Sequence, residues 1–158
     1  MKLSFLSLSL SAASLLLIAA CQTKSEPKKT TKDSTQPAAN STDRITTASG
    51  LQYQVITSGP AGGRSPTATD TVTVHYIGML TNGTVFDSSL DRGQPLTLGV
   101  NQVIPGWTEA LQLMKPGDQW LLHIPARLGY GSQGAGEKIP PNSDLIFKVA
   151  LISVNGAQ

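Results

Sequence analysis

A chain of 158 residues with 14% charged residues and a formal net charge of +2 is close to neutral. That argues against nucleic acid or any highly charged partner. Gly (15) and Pro (10) point to a turn-rich, β-rich domain rather than a helical bundle, and a lone cysteine leaves core packing to hold the fold.

Residues 1–20 start with Lys2, run through a Leu/Ser/Ala core and end in Ala19-Ala20, the build of a bacterial export signal. Cys21 follows directly on Leu15-Leu16-Leu17-Ile18-Ala19-Ala20. The junction resembles the lipobox of bacterial lipoproteins, where the signal is removed and the cysteine thiol, the one adequate nucleophile there, is acylated. Two alternatives stand beside this reading. One is an ordinary secretory signal with an incidental cysteine. The other is a transmembrane helix, which Ser4, Ser7, Ser9, Ser11 and Ser14 weaken, because a span needs about 20 mostly apolar residues. Under the lipoprotein reading Cys21 is the lipidation site, and each buried CH₂ of its acyl chains contributes about 0.8 kcal/mol to membrane anchoring. Gln22, where an Asp often signals inner-membrane retention, favours the outer membrane facing the periplasm if the cell is Gram-negative.

Residues 22–47 are rich in Thr, Ser, Pro and Lys and nearly free of large apolar side chains. Such a segment buries too little apolar area to offset its chain entropy and is expected to be a disordered tether. The expected organisation is a signal at 1–20, a lipid-anchored tether at 21–48 and one folded domain at 49–158.

Within the domain, Leu51 to Ile56 reads as a strand, and 59–66 as a Gly/Pro loop. Thr71 to Met79 alternates, with Val72, Val74 and Tyr76 on one face. Asn82-Gly83 predicts a hairpin turn that returns through Thr84-Val85-Phe86. Pro95 to Leu98 is a further extended piece. After Pro105-Gly106, the positions of Trp107, Ala110, Leu111 and Met114 mark one face of a helix, which Pro116-Gly117 stops. Gln119 to Pro125 is a strand, 129–136 a Gly-rich loop, and Asp144 to Ile152 the closing strand. One short helix against an antiparallel sheet is an α+β arrangement.

Seven of the eight aromatic residues lie beyond the signal. Tyr76, Phe86, Trp107 and Tyr130 fall where elements meet loops or turns, and Val103-Ile104 stands just before the helix. This set suits the lining of one concave apolar pocket. Taken singly, each aromatic is as well read as an ordinary core residue.

The segments Val74-His75-Tyr76-Ile77-Gly78-Met79-Leu80, Gly83-Thr84-Val85-Phe86-Asp87-Ser88-Ser89, Val103-Ile104-Pro105-Gly106-Trp107, Gly129-Tyr130-Gly131, Ile139-Pro140-Pro141-Asn142 and Leu145-Ile146-Phe147 resemble, in order and spacing, the FKBP-type peptidyl-prolyl isomerases. Leu51-Gln52-Tyr53 is similar to the opening strand of the bacterial members. The resemblance covers about two-thirds of the chain. It implies an FKBP-like antiparallel sheet of five to six strands wrapped around one short α-helix, with a proline pocket between them. It also implies that Trp107 forms the pocket floor and Tyr76, Phe86, Val103, Ile104 and Phe147 its walls. Tyr130 and the Ile104 N–H would bond the substrate chain. Asp87 would be the pocket carboxylate, Arg92 its partner, and Ile139 part of a loop closing over the ligand. Leu96 stands where the family usually has a pocket phenylalanine, and Leu98, Gly129 and Ala135 are further departures.

The implied reaction is rotation about an X–Pro bond, which breaks no covalent bond and needs no nucleophile, metal or cofactor. For Asp87, fixing Tyr76 and Arg92 is weighed against a direct electrostatic role at the twisted carbonyl. His75 reads as a structural or surface residue. The implied partners are proline-containing unfolded or partly folded polypeptides, macrolides of the tacrolimus type, and a membrane through the lipid anchor. A monomer is expected. The alternative function is a proline-pocket chaperone or docking module with incidental isomerase activity, and a further one is a structural lipoprotein with a dead pocket.

Overall fold

The alternation that begins at Thr71 becomes a ten-residue strand, β3 (Thr71–Leu80), in the computed structural model, which describes residues 43–156. Val72, Val74, Tyr76 and Gly78 are buried and the residues between them half-buried, as a period of two requires. β3 is an interior strand of one antiparallel sheet and pairs with three others. The other strands are β1 (Ile45–Thr46), β2 (Gln52–Thr57), β4 (Val85–Ser88), β5 (Leu96–Gly99), β6 (Gln119–Ile124) and β7 (Leu145–Asn155). Their order is β1-β2-β6-β7-β3-β4, and β5 also pairs with β3.

β3 is long enough to take two partners on one edge. Thr71 to Val74 pair with β5, and Ile77 to Met79 pair with β4 across the hairpin. The hairpin turns at Gly83, whose φ of 86° lies in the left-handed region that glycine adopts without a Cβ penalty. The register puts Gly78 opposite Asp87 and, on the other side, opposite Phe147. A Cβ at Gly78 would stand 2.7 Å from both the Phe86 and Phe147 rings. Those two aromatics therefore meet over a strand position that has no side chain of its own.

The one α-helix, α1 (Pro105–Leu113), begins at a proline whose fixed φ suits the first helical turn. Trp107, Ala110, Leu111 and the capping residue Met114 are all at most 4% exposed, so the expected apolar face is the buried one. It packs on the sheet face carrying Val74, Tyr76, Leu122, Ile124, Phe147 and Val149. The approach is close. A Cβ at Gly106 would lie 2.6 Å from Ile124 Cγ2. Pro116-Gly117 ends the helix, with Gly117 at φ 91°. Asp118 then ties this turn to the 59–66 loop, accepting from the Gly59 N–H at 2.6 Å and the Lys115 N–H at 3.0 Å. The same loop is held by Asp70, which accepts from Arg64 and from the Thr67 N–H, both at 2.7 Å. These bonds hold its carboxyl well below the usual carboxylate range.

The α+β arrangement and the helix agree with the expectation, and three details differ. Ile45–Thr46 lies inside the segment read as tether but pairs with Tyr53 and Gln52, which extends order N-terminally and brings the strand count to seven. A two-residue edge strand is too short to leave a periodic pattern. β7 runs to Asn155 rather than Ile152 because its pairing with β3 continues to Thr71 opposite Asn155. Tyr76 stands in the middle of β3, not at a junction. The signal, Cys21 and the tether up to residue 42 lie outside the described residues. Among the described residues no helix is long and apolar enough to cross a membrane.

Candidate active site

Between α1, the sheet and the loop after β6 lies a cavity of about 410 Å³. Its lining includes Tyr76, Phe86, Asp87, Leu96, Val103, Ile104, Trp107, Tyr130 and Phe147. Nine of the eleven residues expected at the site therefore line one hollow. Each arrives from its own element: Tyr76 from β3, Phe86 and Asp87 from β4, Leu96 from β5, Trp107 from α1 and Phe147 from β7. Val103 and Ile104 come from the segment that leads into the helix, and Tyr130 from the loop after β6.

Four rings form the apolar part. Trp107 meets Tyr76 and Phe147 edge to face, each with ring centroids 5.2 Å apart and interplanar angles of 85° and 84°. Phe86 meets Phe147 at 5.5 Å and 83°. T-shaped pairs of this kind contribute about 0.5–1.5 kcal/mol each beyond the area they bury. The rings are thus both core and lining. Trp107 is only 4% exposed, yet it opens onto the cavity. Its Nε1 is buried without a hydrogen-bond partner among the described residues, as are Trp120 Nε1 and His123 Nε2.

The polar part is a three-residue link at the rim. Tyr76 Oη donates to Asp87 Oδ2, Arg92 Nη1 donates to Asp87 Oδ1, and Arg92 Nη2 donates to Tyr76 Oη at 2.9 Å. Arg92 also lies over the Tyr76 ring, 5.6 Å from its centroid. Burial works to raise the Asp87 pKa, but the hydrogen bonds from Tyr76 and Arg92 and the Arg92 charge together outweigh it. The carboxyl is held below its ordinary value. Burial first, and the bond to Asp87 second, push the Tyr76 phenol up, so it stays a neutral donor. Burial, with the Asp87 charge adding to it, also raises the Tyr130 phenol. The phenol of Tyr130 is 39% exposed as part of that residue and forms the outer edge.

Two expected site residues do not line this cavity. Arg92 is occupied with Asp87 and Tyr76 instead of facing the hollow. Ile139 is 5% exposed, packed into the core cluster, and borders a neighbouring hollow. An apolar side chain on a glycine-rich loop turned inward and pins that loop. Leu98 and Gln102, which the sequence reading did not place at the site, do line it. Gln102 carried no signal beyond its position beside Val103. His75 is structural: its Nδ1 lies 3.0 Å from Ser89 Oγ, which also accepts from the Tyr76 N–H at 2.8 Å. Among the described residues no group of three or more His, Cys, Asp or Glu is placed to hold a metal ion.

This geometry meets its counterpart in known proteins. Residues 62–152 match the model of the FKBP-type peptidyl-prolyl cis-trans isomerase family, and the chain belongs to that family. Over 109 residues it is 58% identical to the peptidyl-prolyl cis-trans isomerase Mip of Coxiella burnetii, covering 69% of this chain and 46% of that one. It is 55% identical over 109 residues to the outer membrane protein MIP of Legionella longbeachae, covering 69% and 46%. The crystal structure of FkpA from Escherichia coli superposes with a TM-score of 0.70 at 44% identity, over 75% of this chain and 54% of that one. The chain spans about half the length of the curated relatives it matches.

The rim link sets a pH dependence. The folded state holds the Asp87 carboxyl below its ordinary value of 3.8, so the stability it adds is complete above that value and is lost as pH falls through the lower, folded one. Asp87→Asn should therefore be less stable than the wild type at pH 7, with the gap shrinking below pH 4. The gap should be modest, since the paired side chains of Arg92 and Asp87 are 47% and 42% exposed. Urea midpoints at pH 7, 4 and 3 measure it; a gap that stays constant over that range contradicts the assignment.

Proposed function

We propose that this chain catalyses cis–trans isomerisation of X–Pro peptide bonds in exported polypeptides. The observation that carries the reading is the Trp107 ring, braced edge to face by Tyr76 and Phe147, at the inner surface of an apolar cavity. Membership of the isomerase family supports it.

The barrier to rotation is about 18–20 kcal/mol because twisting destroys amide resonance. Resonance puts negative charge on the carbonyl oxygen and positive character on nitrogen, and the twisted state loses that separation. Water stabilises the planar, more polar form. A dry apolar pocket withdraws that preference and so binds the twisted state better, which is the differential binding that accelerates a reaction. In this reading the proline ring rests on Trp107, with Phe86, Val103, Ile104, Leu96 and Phe147 excluding water. The Tyr130 hydroxyl and the Ile104 N–H hold the flanking chain. Asp87 positions Tyr76 and Arg92 rather than exchanging a proton, since the reaction offers it none to take. Each tenfold gain in rate needs about 1.4 kcal/mol, so a thousandfold gain asks about 4 kcal/mol of these contacts. A macrolide of the tacrolimus type would compete for the same cavity, with one aromatic contact fewer because Leu96 stands at its wall.

Trp107→Ala removes the floor and should lower the rate of proline-limited refolding at least tenfold against the wild type. An unchanged rate in a folded variant would falsify the isomerase reading. Retained binding of unfolded clients with no isomerisation in the wild type would favour the docking module.

We also propose that Cys21 is the lipid-anchored residue and that the polar segment after it tethers the domain at the cell envelope. The apolar run ending in Ala19-Ala20 supports this, as does the name of the Legionella longbeachae relative, an outer membrane protein. Full-length protein made in a Gram-negative host should partition into detergent, and Cys21→Ser should move it to the aqueous phase. Wild-type protein that stays aqueous and carries no acyl mass rules the anchor out.

A further inference from the structure

Beside the cavity just described lies a second hollow of about 430 Å³. Phe86, Asp87 and Tyr130 line both, so they form a ridge between the two. The far side of the second hollow is made by the loop from Ala135 to Ile139. A residue spans at most about 3.3–3.6 Å of extended chain. A polypeptide with its proline in the first hollow that leaves over this ridge would bring an adjacent side chain to it.

The loop is not a loose flap. Ala135 N–H donates to the Ile139 carbonyl at 2.9 Å, and the Ile139 N–H returns a bond to the Ala135 carbonyl at 3.2 Å. The Ile139 side chain is buried beneath it. This pins the backbone of Lys138, whose ammonium donates to the Phe86 carbonyl at 3.3 Å and so sits at the ridge. The ion pairs among the described residues are Arg64–Asp70, Arg92–Asp87 and Lys115–Asp118, and Lys138 is in none of them. The Asp87 carboxylate is already held by Tyr76 and Arg92, and the Arg92 charge offsets its own. Glu137 borders the hollow too; both side chains are exposed, and of the two it is Lys138 whose side chain is fixed by a hydrogen bond, to the Phe86 carbonyl. The ridge therefore carries one anchored cation with no counter-ion.

We infer that Lys138 gives the site a preference for substrates with an acidic side chain next to the proline. This rests on the isomerase reading for its substrate. A carboxylate entering the second hollow would supply the missing counter-ion and accept the ammonium protons left over from the bond to Phe86. A lysine or arginine in the same place would meet a like charge. Partly exposed pairs of this kind support a discrimination of about two- to fivefold, weakening as salt rises.

The test uses the full chain and two peptide sets, with Leu, Glu or Lys either directly before or directly after the proline. NMR exchange gives kcat/KM, and calorimetric titration of the same peptides gives Kd. The Glu-over-Lys ratio should be about two- to fivefold at one of the two positions. It should fall to near one in Lys138→Gln and invert in Lys138→Glu, while Glu137→Gln leaves the effect of Lys138 in place. A ratio indifferent to Lys138 at both positions, or one that follows Glu137 instead, overturns the inference. If Kd discriminates through Lys138 but no peptide isomerises, the charge preference stands and the isomerase reading fails. If all peptides isomerise with no dependence on Lys138, the reverse holds.

Discussion

The site depends on how closely the start of α1 approaches β6. Gly106 has no side chain where Ile124 presses against it, and the next residue is Trp107. With the helix held that near, the indole reaches the sheet and meets Tyr76 and Phe147 edge to face. A bulkier residue at 106 would lift the first turn and withdraw the ring from both partners. Gly78 serves the same end from the other side, leaving room over β3 for Phe86 and Phe147 to meet. Two positions without side chains thus shape an aromatic hollow from strands and a helix distant in sequence.

Around that apolar part the charged groups are paired with one another. Asp87 lines the cavity, but its oxygens are taken by Tyr76 and Arg92 at the rim. An unpaired carboxylate there would draw in water and weaken the exclusion of solvent on which the proposed catalysis relies. Tying it to a phenol and a guanidinium keeps Tyr76 in place against Trp107 and gives each carboxylate oxygen a partner.

Much of this was legible in the sequence, for reasons that particular residues make plain. Burial on one face only gives β3 its period of two and α1 its spacing of three and four, so Val72, Val74, Tyr76 and Trp107, Ala110, Leu111 were readable as faces. Asn82-Gly83 and Pro116-Gly117 marked turns because their backbone needs are local. What stayed hidden was set by pairing across the sheet. Ile45–Thr46 is a strand only because β2 offers it an edge. The burial of Ile139 goes with a bridge to Ala135, and Gln102 reaches the lining from a short helical turn, Val100–Gln102, that packs against α1. The pairing of Asp87 with Tyr76 and Arg92 was expected from a family resemblance, and the register of Gly78 opposite Asp87 shows how the sheet brings them together.

The central claim is that a proline ring occupies the hollow against the Trp107 indole while its peptide bond turns. Nuclear Overhauser contacts between the full-length protein and a proline peptide in exchange test it most directly. The account predicts contacts from the proline ring protons to the indole of Trp107 and the rings of Tyr76 and Phe147, in a sample whose cis and trans peptide signals exchange with each other. Exchange catalysed with no contact to Trp107, or contacts only to another face of the sheet, would contradict it.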